Sequence, residues 1–170
     1  PDDEAMDAGR DVRATKCAEV YKRYQNRLKS ANALDFDDII MKTVELLESD
    51  SEVREYYQNK FKYVLVDEYQ DTNYAQFVLT KLLSDKYRNI MVVGDDDQSI
   101  YKFRGATIEN ILSFEKSFKN ARVIKLEQNY RSTGSILNVA NEVIKNNHGN
   151  LKKKLWTEND IGSKPILFQA

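Results

Sequence analysis

The sequence has very little of the residues that define several common classes of protein. A single cysteine, Cys17, leaves no partner for an internal disulfide, and a single histidine, His148, argues against a conventional zinc site. No uninterrupted run of 18 apolar residues is present, so no membrane span is predicted, and the first ten residues lack the apolar stretch of a signal peptide. We therefore expect a soluble, cytoplasmic protein without a membrane partner.

Glycine is also scarce, and this scarcity bears on nucleotide binding. A phosphate-binding loop follows the pattern G-x-x-x-x-G-K-[ST], in which backbone amides cradle the phosphates and the lysine reaches them. The sequence has six glycines, and none of them is followed by Lys-Ser or Lys-Thr. These residues therefore contain no phosphate-binding loop.

The residues that are present suit one globular domain. The chain has 170 residues, of which 41% are hydrophobic and 31% charged, with a net charge of −1. Basic side chains outnumber acidic ones only in the last third, where they include the triplet Lys152–Lys154. That triplet is either a basic patch for nucleic acid or a solvated loop.

The first third of the sequence has a helical period. Apolar residues recur at spacings of three to five from Val12 to Leu28, and we expect Cys17 on this face to be a small core residue. After a break at residues 30–32, Asp35 is a good N-cap for a second helix, with Asp38 in its first turn.

The middle third alternates short apolar runs with helical patterns. Residues 63–66, 90–93 and 122–126 read as strands, and residues 74–84 and 107–118 read as the helices between them. Continuous apolar strands of this kind suit a parallel sheet covered by helices on both faces, which is an α/β architecture. A further helix is predicted over residues 132–146, capped by Ser132 or Thr133, and a short strand over residues 166–168.

Acidic clusters follow the first two predicted strands, where ligands bind in parallel sheets. Asp67 and Glu68 could hold Mg²⁺ and activate a water molecule, or they could simply cap the next helix. In the second cluster, Gly94 would let the backbone turn sharply before three aspartates, and Gln98 could reach a phosphate oxygen. A charged surface turn is the alternative for that cluster.

Aromatic and basic residues alternate directly after Gln98. Tyr101, Lys102, Phe103 and Arg104 have the composition that stacks bases while neutralising phosphates, although a half-buried loop could have the same pattern.

Taken together, three segments resemble motifs II, III and IV of the UvrD/PcrA/Rep-type superfamily 1A DNA helicases. They are DEYQDTN at residues 67–73, GDDDQSIYKFRGA at residues 94–106 and LEQNYRST at residues 126–133, in the family's order. LDFDD at residues 34–38 and LWTEN at residues 155–159 resemble further segments of that family, so that the resemblance covers nearly the whole chain.

The resemblance implies a role for each motif residue. Asp67 would bind the Mg²⁺ of MgATP, Glu68 would be the catalytic base, and Gln98 would contact the γ-phosphate and sense the nucleotide. Tyr130 would stack on the adenine, and Arg131 would reach the γ-phosphate as an arginine finger.

The same resemblance implies DNA as partner. Tyr101 and Phe103 would contact single-stranded DNA, and Arg104 of the same motif would either contact DNA or form a structural pair. The family usually has tryptophan at the position of Phe103, and duplex DNA is the second implied partner. The activity implied is that of an ATP-dependent 3′–5′ DNA helicase in repair or replication, with proteins of those processes as possible partners. A non-enzymatic DNA-binding module and a Mg²⁺-dependent nuclease are the alternatives, and neither has a use for a γ-phosphate contact and an adenine stack.

The resemblance also implies a domain plan. Residues 1–59 would be a helical segment from the end of domain 1B, residues 60–128 the later half of a P-loop NTPase (RecA-like) domain 1A, and residues 129–170 the start of domain 2A. The phosphate loop of the family would precede these residues. We therefore expect an internal fragment that is inactive alone.

Overall fold

A computed structural model describes residues 12–147 and 153–168, with only the backbone of Arg104. The contacts divide the chain into two compact units, one ending at Tyr57 and the other beginning at Gln58. The helices are α1 (Val12–Ser30), α2 (Phe36–Ser49), α3 (Ser51–Lys60), α4 (Tyr74–Ser84), α5 (Glu109–Leu112), α6 (Phe114–Ser117) and α7 (Gly134–Ile144), and the strands are β1 (Val64–Val66) and β2 (Ile90–Val92).

The first unit is helical, as predicted, and α2 begins with a capping box. The backbone N–H of Asp38 donates to Asp35 Oδ1 at 2.8 Å, and the backbone N–H of Asp35 donates to Asp38 Oδ2 at 3.4 Å. Two orphan backbone donors of the helix start are thereby satisfied. The prediction of Asp35 as the N-cap is confirmed.

The predicted buried face of α1 is wrong. Cys17 is exposed, as is most of the apolar series that begins at Val12, whereas Ala18 is only 4% exposed. Ala18, Val44 and Leu47 are the fully buried apolar side chains among the described residues of this unit. Helical period alone identified the apolar stripe of α1, but a stripe is buried only where another element covers it.

The second unit contains a β-α-β crossover. Strands β1 and β2 are parallel, with Val64, Leu65 and Val66 opposite Ile90, Met91 and Val92. Helix α4 connects them and begins with a second capping box, in which Asn73 and Gln76 exchange hydrogen bonds of 2.9 Å. The parallel pairing and α4 agree with the sequence-based prediction.

Three other predicted elements differ in the structure. Residues 122–126 and 166–168 form no strand, and residues 107–118 form the two short helices α5 and α6 with a break at Ser113. The sheet is also covered less than expected, because Leu65 and Met91 are 68% and 55% exposed. An apolar run becomes a strand only when a neighbouring strand accepts its backbone hydrogen bonds, and neither run belongs to a strand ladder in the described part of the chain.

The core of the second unit lies between the strand ends and the short helices. Tyr69 is fully buried and packs edge-to-face on Phe114, which stacks on Phe118 at 4.7 Å between ring centroids. Burial raises the pKa of the Tyr69 hydroxyl. Asn110 is buried beside this cluster, and its Nδ2 donates to the carbonyl of Thr72 at 3.0 Å.

The last part of the chain returns to the region that precedes α7. Trp156 exchanges backbone hydrogen bonds with Glu127 and Asn129, at 3.0 and 2.7 Å. Helix α7 has Thr133 at its N-cap, although the Thr133 side chain makes no capping hydrogen bond. None of the described helices has the length and apolarity needed to cross a membrane.

Candidate active site

Asp67 and Glu68 follow the last residue of β1 directly, and both are exposed. Glu68 adopts a left-handed backbone conformation, with φ of 48° and ψ of 43°. Such a conformation is uncommon for a residue other than glycine and persists only where surrounding contacts hold it. Here a 3₁₀ turn follows at Tyr69–Asp71, and the N–H of Tyr69 donates to the carbonyl of Val93 at 2.9 Å.

Gln70, in that turn, connects the two acidic loops. Its side chain is 1% exposed. Its Nε2 donates to Glu68 Oε2 at 2.8 Å, and its Oε1 accepts the backbone N–H of Asp95 at 3.0 Å. Ser99 Oγ also donates to the Gln70 carbonyl at 3.3 Å. One buried amide therefore touches both the proposed base and the loop after β2.

Gly94 allows this contact by leaving space, and not by adopting a special backbone conformation. A Cβ atom at this position would clash with Gln70 Oε1 at 2.6 Å and would lie in tight contact with the Tyr69 nitrogen at 3.2 Å. Its φ lies outside the positive range, whereas those of Gly105 and Gly162 are +80° and +69°. The expected turn function of Gly94 is thus corrected: glycine is needed here for close approach.

Gln98 lies at the same end of the sheet as Glu68. It ends the 3₁₀ turn Asp96–Gln98, and its Nε2 donates to Asp95 Oδ2 at 2.7 Å. Glu68, Gln70, Asp95 and Gln98 thus form one continuous series of hydrogen bonds. The structure brings together the residues that the sequence placed at the ends of two different strands.

The three aspartates after β2 surround a lysine. Lys153 Nζ contacts Asp95, lies 3.1 Å from Asp96 Oδ1 and 3.3 Å from Asp97 Oδ2, and the Lys153 side chain is 19% exposed. Burial alone would lower the pKa of Lys153, but the hydrogen bonds to Asp95 and Asp96 raise it above its usual value. These carboxylate oxygens are spaced as a cation requires, and an ammonium group is what they contact.

This ion pair corrects the interpretation of the basic triplet. Lys153 is mostly buried against the three aspartates, Lys154 is exposed, and Lys152 lies outside the described residues, as does His148. Asn147 supports the same contact, because its Nδ2 donates to Asp97 Oδ1 at 3.1 Å. Asn147 and Lys153, which both follow α7 in the sequence, therefore contact the loop after β2.

The loop after Gln98, which carries Tyr101 and Phe103, exposes one aromatic ring to solvent. Phe103 is 77% exposed and Tyr101 is half-buried, with their ring centroids 5.8 Å apart. An exposed ring supported by a second ring can stack on a nucleic-acid base. The side chain of Arg104 lies outside the described residues.

Tyr130 and Arg131 are both exposed, and two asparagines hold their backbone. Asn129 Oδ1 accepts the N–H groups of Arg131 and Ser132 at 2.9 and 2.7 Å. Asn159 Nδ2 donates to the carbonyls of Tyr130 and Ser132 at 3.3 and 3.1 Å. Among the described residues, no hydrogen bond or ion pair joins this turn to Asp67 or Glu68, so the structure does not bring it to them.

Sequence reasoning assigned no role to three polar residues that organise these loops, namely Gln70, Asn129 and Asn159, and it considered Lys153 only as part of a basic patch or a solvated loop. Gln70 and Asn129 stand inside motifs that were identified as a whole, so only their buried or turn-forming contacts reveal what they do. An amide that bridges two loops leaves no trace in hydrophobic periodicity.

The fold and this site define a class of protein. It is an α/β protein with an acidic strand end, a carboxamide-bearing loop after the neighbouring strand, and an exposed aromatic ring on that same loop. Residues 2–119 match the UvrD/REP helicase N-terminal domain, and residues 124–170 match the UvrD-like helicase C-terminal domain. The chain belongs to the UvrD/REP helicase family, which confirms the resemblance of its motifs.

Individual relatives agree with this assignment. The chain is 56% identical over 167 residues to the ATP-dependent DNA helicase PcrA of Staphylococcus aureus and 55% identical over 170 residues to that of Staphylococcus epidermidis. These matches cover 98% and 100% of this chain, and 23% of each relative. The chain thus spans less than a quarter of the length of these relatives.

Proposed function

We propose that this chain works within a longer ATP-dependent DNA helicase, called the full-length helicase below, that moves 3′ to 5′ on single-stranded DNA and separates the duplex. The observation that carries the proposal is the series of hydrogen bonds from Glu68 through Gln70 and Asp95 to Gln98. It connects an acidic strand end suited to nucleotide hydrolysis with the loop that presents Phe103.

The acidic strand end fits a magnesium nucleotide by the chemistry of its donors. Two adjacent carboxylates at an exposed strand end supply the hard oxygen ligands that Mg²⁺ prefers. In this proposal Asp67 holds the ion, through water, and Glu68 takes a proton from the attacking water. MgATP, when bound, supplies the transferable phosphoryl group and a metal ion that offsets its charge.

The remaining nucleotide contacts come from two other loops. Gln98 donates its amide to the γ-phosphate, Tyr130 stacks on the adenine, and Arg131 supplies a fixed positive charge to the phosphoryl oxygens. Asn129 and Asn159 hold the backbone of this turn, which limits the directions in which the Tyr130 and Arg131 side chains can point.

The DNA contacts lie on the loop that carries Gln98. Phe103 stacks on a base, Tyr101 supports it, and Arg104 belongs to the same sequence motif. Because Phe103 lies five positions after Gln98 on the same loop, a movement of Gln98 on nucleotide binding is transmitted directly to the stacked base. This proximity is the physical basis for coupling hydrolysis to movement along DNA.

The proposed domain plan follows the motifs. Residues 1–59 close domain 1B, residues 60–128 form the later half of a RecA-like domain 1A, and residues 129–170 open domain 2A. The division of contacts near residue 57 and the change of family model between residues 119 and 124 support it. With DNA as substrate, the full-length helicase would act in the cytoplasm, in repair or replication.

Strand separation by the full-length helicase tests the proposed function. Duplexes with a 3′ or a 5′ single-stranded tail are incubated with Mg²⁺ and ATP, with Mg²⁺ and a non-hydrolysable analogue, or with Mg²⁺ alone. We expect separation of the 3′-tailed duplex with ATP only. Strand cleavage with Mg²⁺ alone would instead indicate a nuclease, and DNA binding without ATP turnover would indicate a binding module.

We predict that the 170-residue chain alone does not hydrolyse ATP. The sequence holds no phosphate-binding loop, which in P-loop enzymes supplies most phosphate contacts. Steady-state ATPase assays with single-stranded DNA should show no turnover above that of the Glu68→Gln variant of the same chain. Turnover that Glu68→Gln abolishes would contradict this prediction.

Phe103→Ala should weaken binding of single-stranded DNA to the full-length helicase by about one to two orders of magnitude, because base–aromatic stacking is worth roughly 1–3 kcal/mol. Unwinding should fall more than DNA-independent ATP hydrolysis, since Asp67 and Glu68 are untouched. Gln98→Ala should do the converse, sparing DNA affinity and lowering DNA-stimulated ATPase. Affinity is measured by fluorescence anisotropy at one salt concentration.

The matched control for this ring is Phe61→Ala, which removes an exposed phenyl group outside the loop. It should leave DNA affinity unchanged. If Phe103→Ala behaved like this control in both affinity and unwinding, the ring would be a packing group and not a stacking group.

A further inference from the structure

Gln70 is a buried polar residue for which the motif resemblance supplied no role. Its side chain is 1% exposed, and a buried amide is costly unless both its ends find partners. Both ends do find partners, and neither partner belongs to the packing core around Tyr69. The two partners are the Glu68 carboxylate and the backbone of Asp95.

The donor end of this amide restrains the proposed base. Glu68 is exposed and has a left-handed backbone, so its own element does little to fix its carboxylate. The hydrogen bond from Gln70 Nε2 to Glu68 Oε2, at 2.8 Å, holds one of the two oxygens from a buried and therefore rigid origin. A hydrogen bond to a charged group is among the stronger ones.

The acceptor end restrains the loop that senses the nucleotide. Gln70 Oε1 accepts the N–H of Asp95 at 3.0 Å, and the Asp95 carboxylate accepts Gln98 Nε2 at 2.7 Å. Gly94 leaves the space in which the amide approaches this backbone. A displacement of the loop therefore pulls on the same amide that holds Glu68.

We propose that Gln70 is a positioning residue for ATP hydrolysis, which sets the Glu68 carboxylate relative to the Gln98 loop and transmits loop movement to the base. This inference rests on the proposed role of Glu68. It gives Gln70 no contact with nucleotide or DNA, so its loss should affect the hydrolytic step and its stimulation by DNA, and not substrate binding.

The test uses Gln70→Met in the full-length helicase, since methionine has a similar length and no amide. We expect kcat of the DNA-stimulated ATPase to fall by about tenfold or more, because that is the order expected for loss of a hydrogen bond to a charged group. The KM for ATP and the affinity for DNA should stay within about twofold of those of the parent. Gly94→Ala should give the same kinetic pattern, because its Cβ displaces the Gln70 amide without removing it. An unchanged kcat in both variants, or a loss confined to KM, would overturn the proposal.

A double-mutant cycle separates positioning from a general loss of stability. Gln70→Met is also made in the Glu68→Gln background, where a positioning effect has nothing left to act on, so the residual rate should change by no more than about twofold. Equal losses in both backgrounds would overturn the proposal in favour of a structural role. The matched control is Gln58→Met, which removes a part-buried hydrogen bond of 2.6 Å from Gln58 Nε2 to the Leu82 carbonyl and should leave kcat unchanged.

The cycle also keeps this inference distinct from the proposed function. If Glu68→Gln itself retained full ATPase activity, the assignment of the base would fail. If Glu68→Gln were inactive while Gln70→Met matched the parent in kcat, only the positioning role would fail.

Discussion

Arg131→Ala should lower the DNA-stimulated ATPase rate of the full-length helicase by about 10³-fold or more, the scale on which arginine fingers act in phosphoryl transfer. The expected cause is loss of a fixed positive charge at the phosphoryl oxygens in the transition state. The backbone that carries this side chain is fixed, because Asn129 Oδ1 accepts the N–H groups of Arg131 and Ser132. ATP turnover is followed at saturating ATP and DNA, so that the effect on kcat is read directly.

Lysine should not rescue this variant. Arg131→Lys keeps the charge but loses the planar fork that binds two oxygens together, so its rate should stay far closer to that of Arg131→Ala than to that of the parent. Arg122→Ala, which removes an exposed arginine from the same irregular stretch, is the control and should retain the parental rate. A loss of less than tenfold in Arg131→Ala would show that this residue is not the finger.

The β-α-β crossover could be predicted from the sequence because its signals are local. Short apolar runs separated by a helical pattern predict parallel strands, and Asn73 with Gln76 forms a capping box at the predicted start of α4. The same holds for Asp35 and Asp38 at α2. Capping boxes need only residues three apart, so nothing distant can overrule them.

The sheet faces could not be predicted in the same way. Apolarity of Leu65 and Met91 indicated a sheet covered on both sides, yet both side chains are largely exposed. The run at residues 122–126 also contains three apolar residues, yet it forms no strand in the described part of the chain. Burial and strand pairing are properties of a partner element, which a local pattern does not specify.

The candidate site also combines local features that the sequence reveals with long-range contacts that it does not reveal. Sequence motifs identified Asp67, Glu68 and Gln98, since strand ends and acidic clusters can be recognised from the order of residues alone. The contacts that organise them were not visible, because Gln70 meets Asp95 across 25 residues and Lys153 meets Asp95 across 58. A basic triplet therefore resembled a DNA patch although its middle residue forms ion pairs with the aspartates of the loop after β2.

Glu68→Gln should lower kcat for ATP hydrolysis by the full-length helicase by about 10²–10⁴-fold, the range in which a positioned general base contributes. The amide cannot accept the proton of the attacking water, while Asp67 remains to hold the metal ion. The change is nearly isosteric, so Gln70 keeps an oxygen acceptor at 68 and the loop after β2 stays in place. Binding of ATP and of single-stranded DNA should therefore be retained, whereas unwinding should be lost together with hydrolysis.

This pattern separates a base from a structural carboxylate. ATP affinity by equilibrium titration, DNA affinity by anisotropy, and turnover are measured on one preparation, with Glu115→Gln as a matched control because Glu115 is an exposed glutamate on α6 outside the site. That control should match the parent in all three. If Glu68→Gln lost affinity for ATP in proportion to its rate, the carboxylate would be a ligand of the bound nucleotide complex, and the attacking water would have to be activated by another residue. Retained affinity with lost turnover places the proton transfer at Glu68, because only an interaction made in the transition state lowers kcat without changing binding.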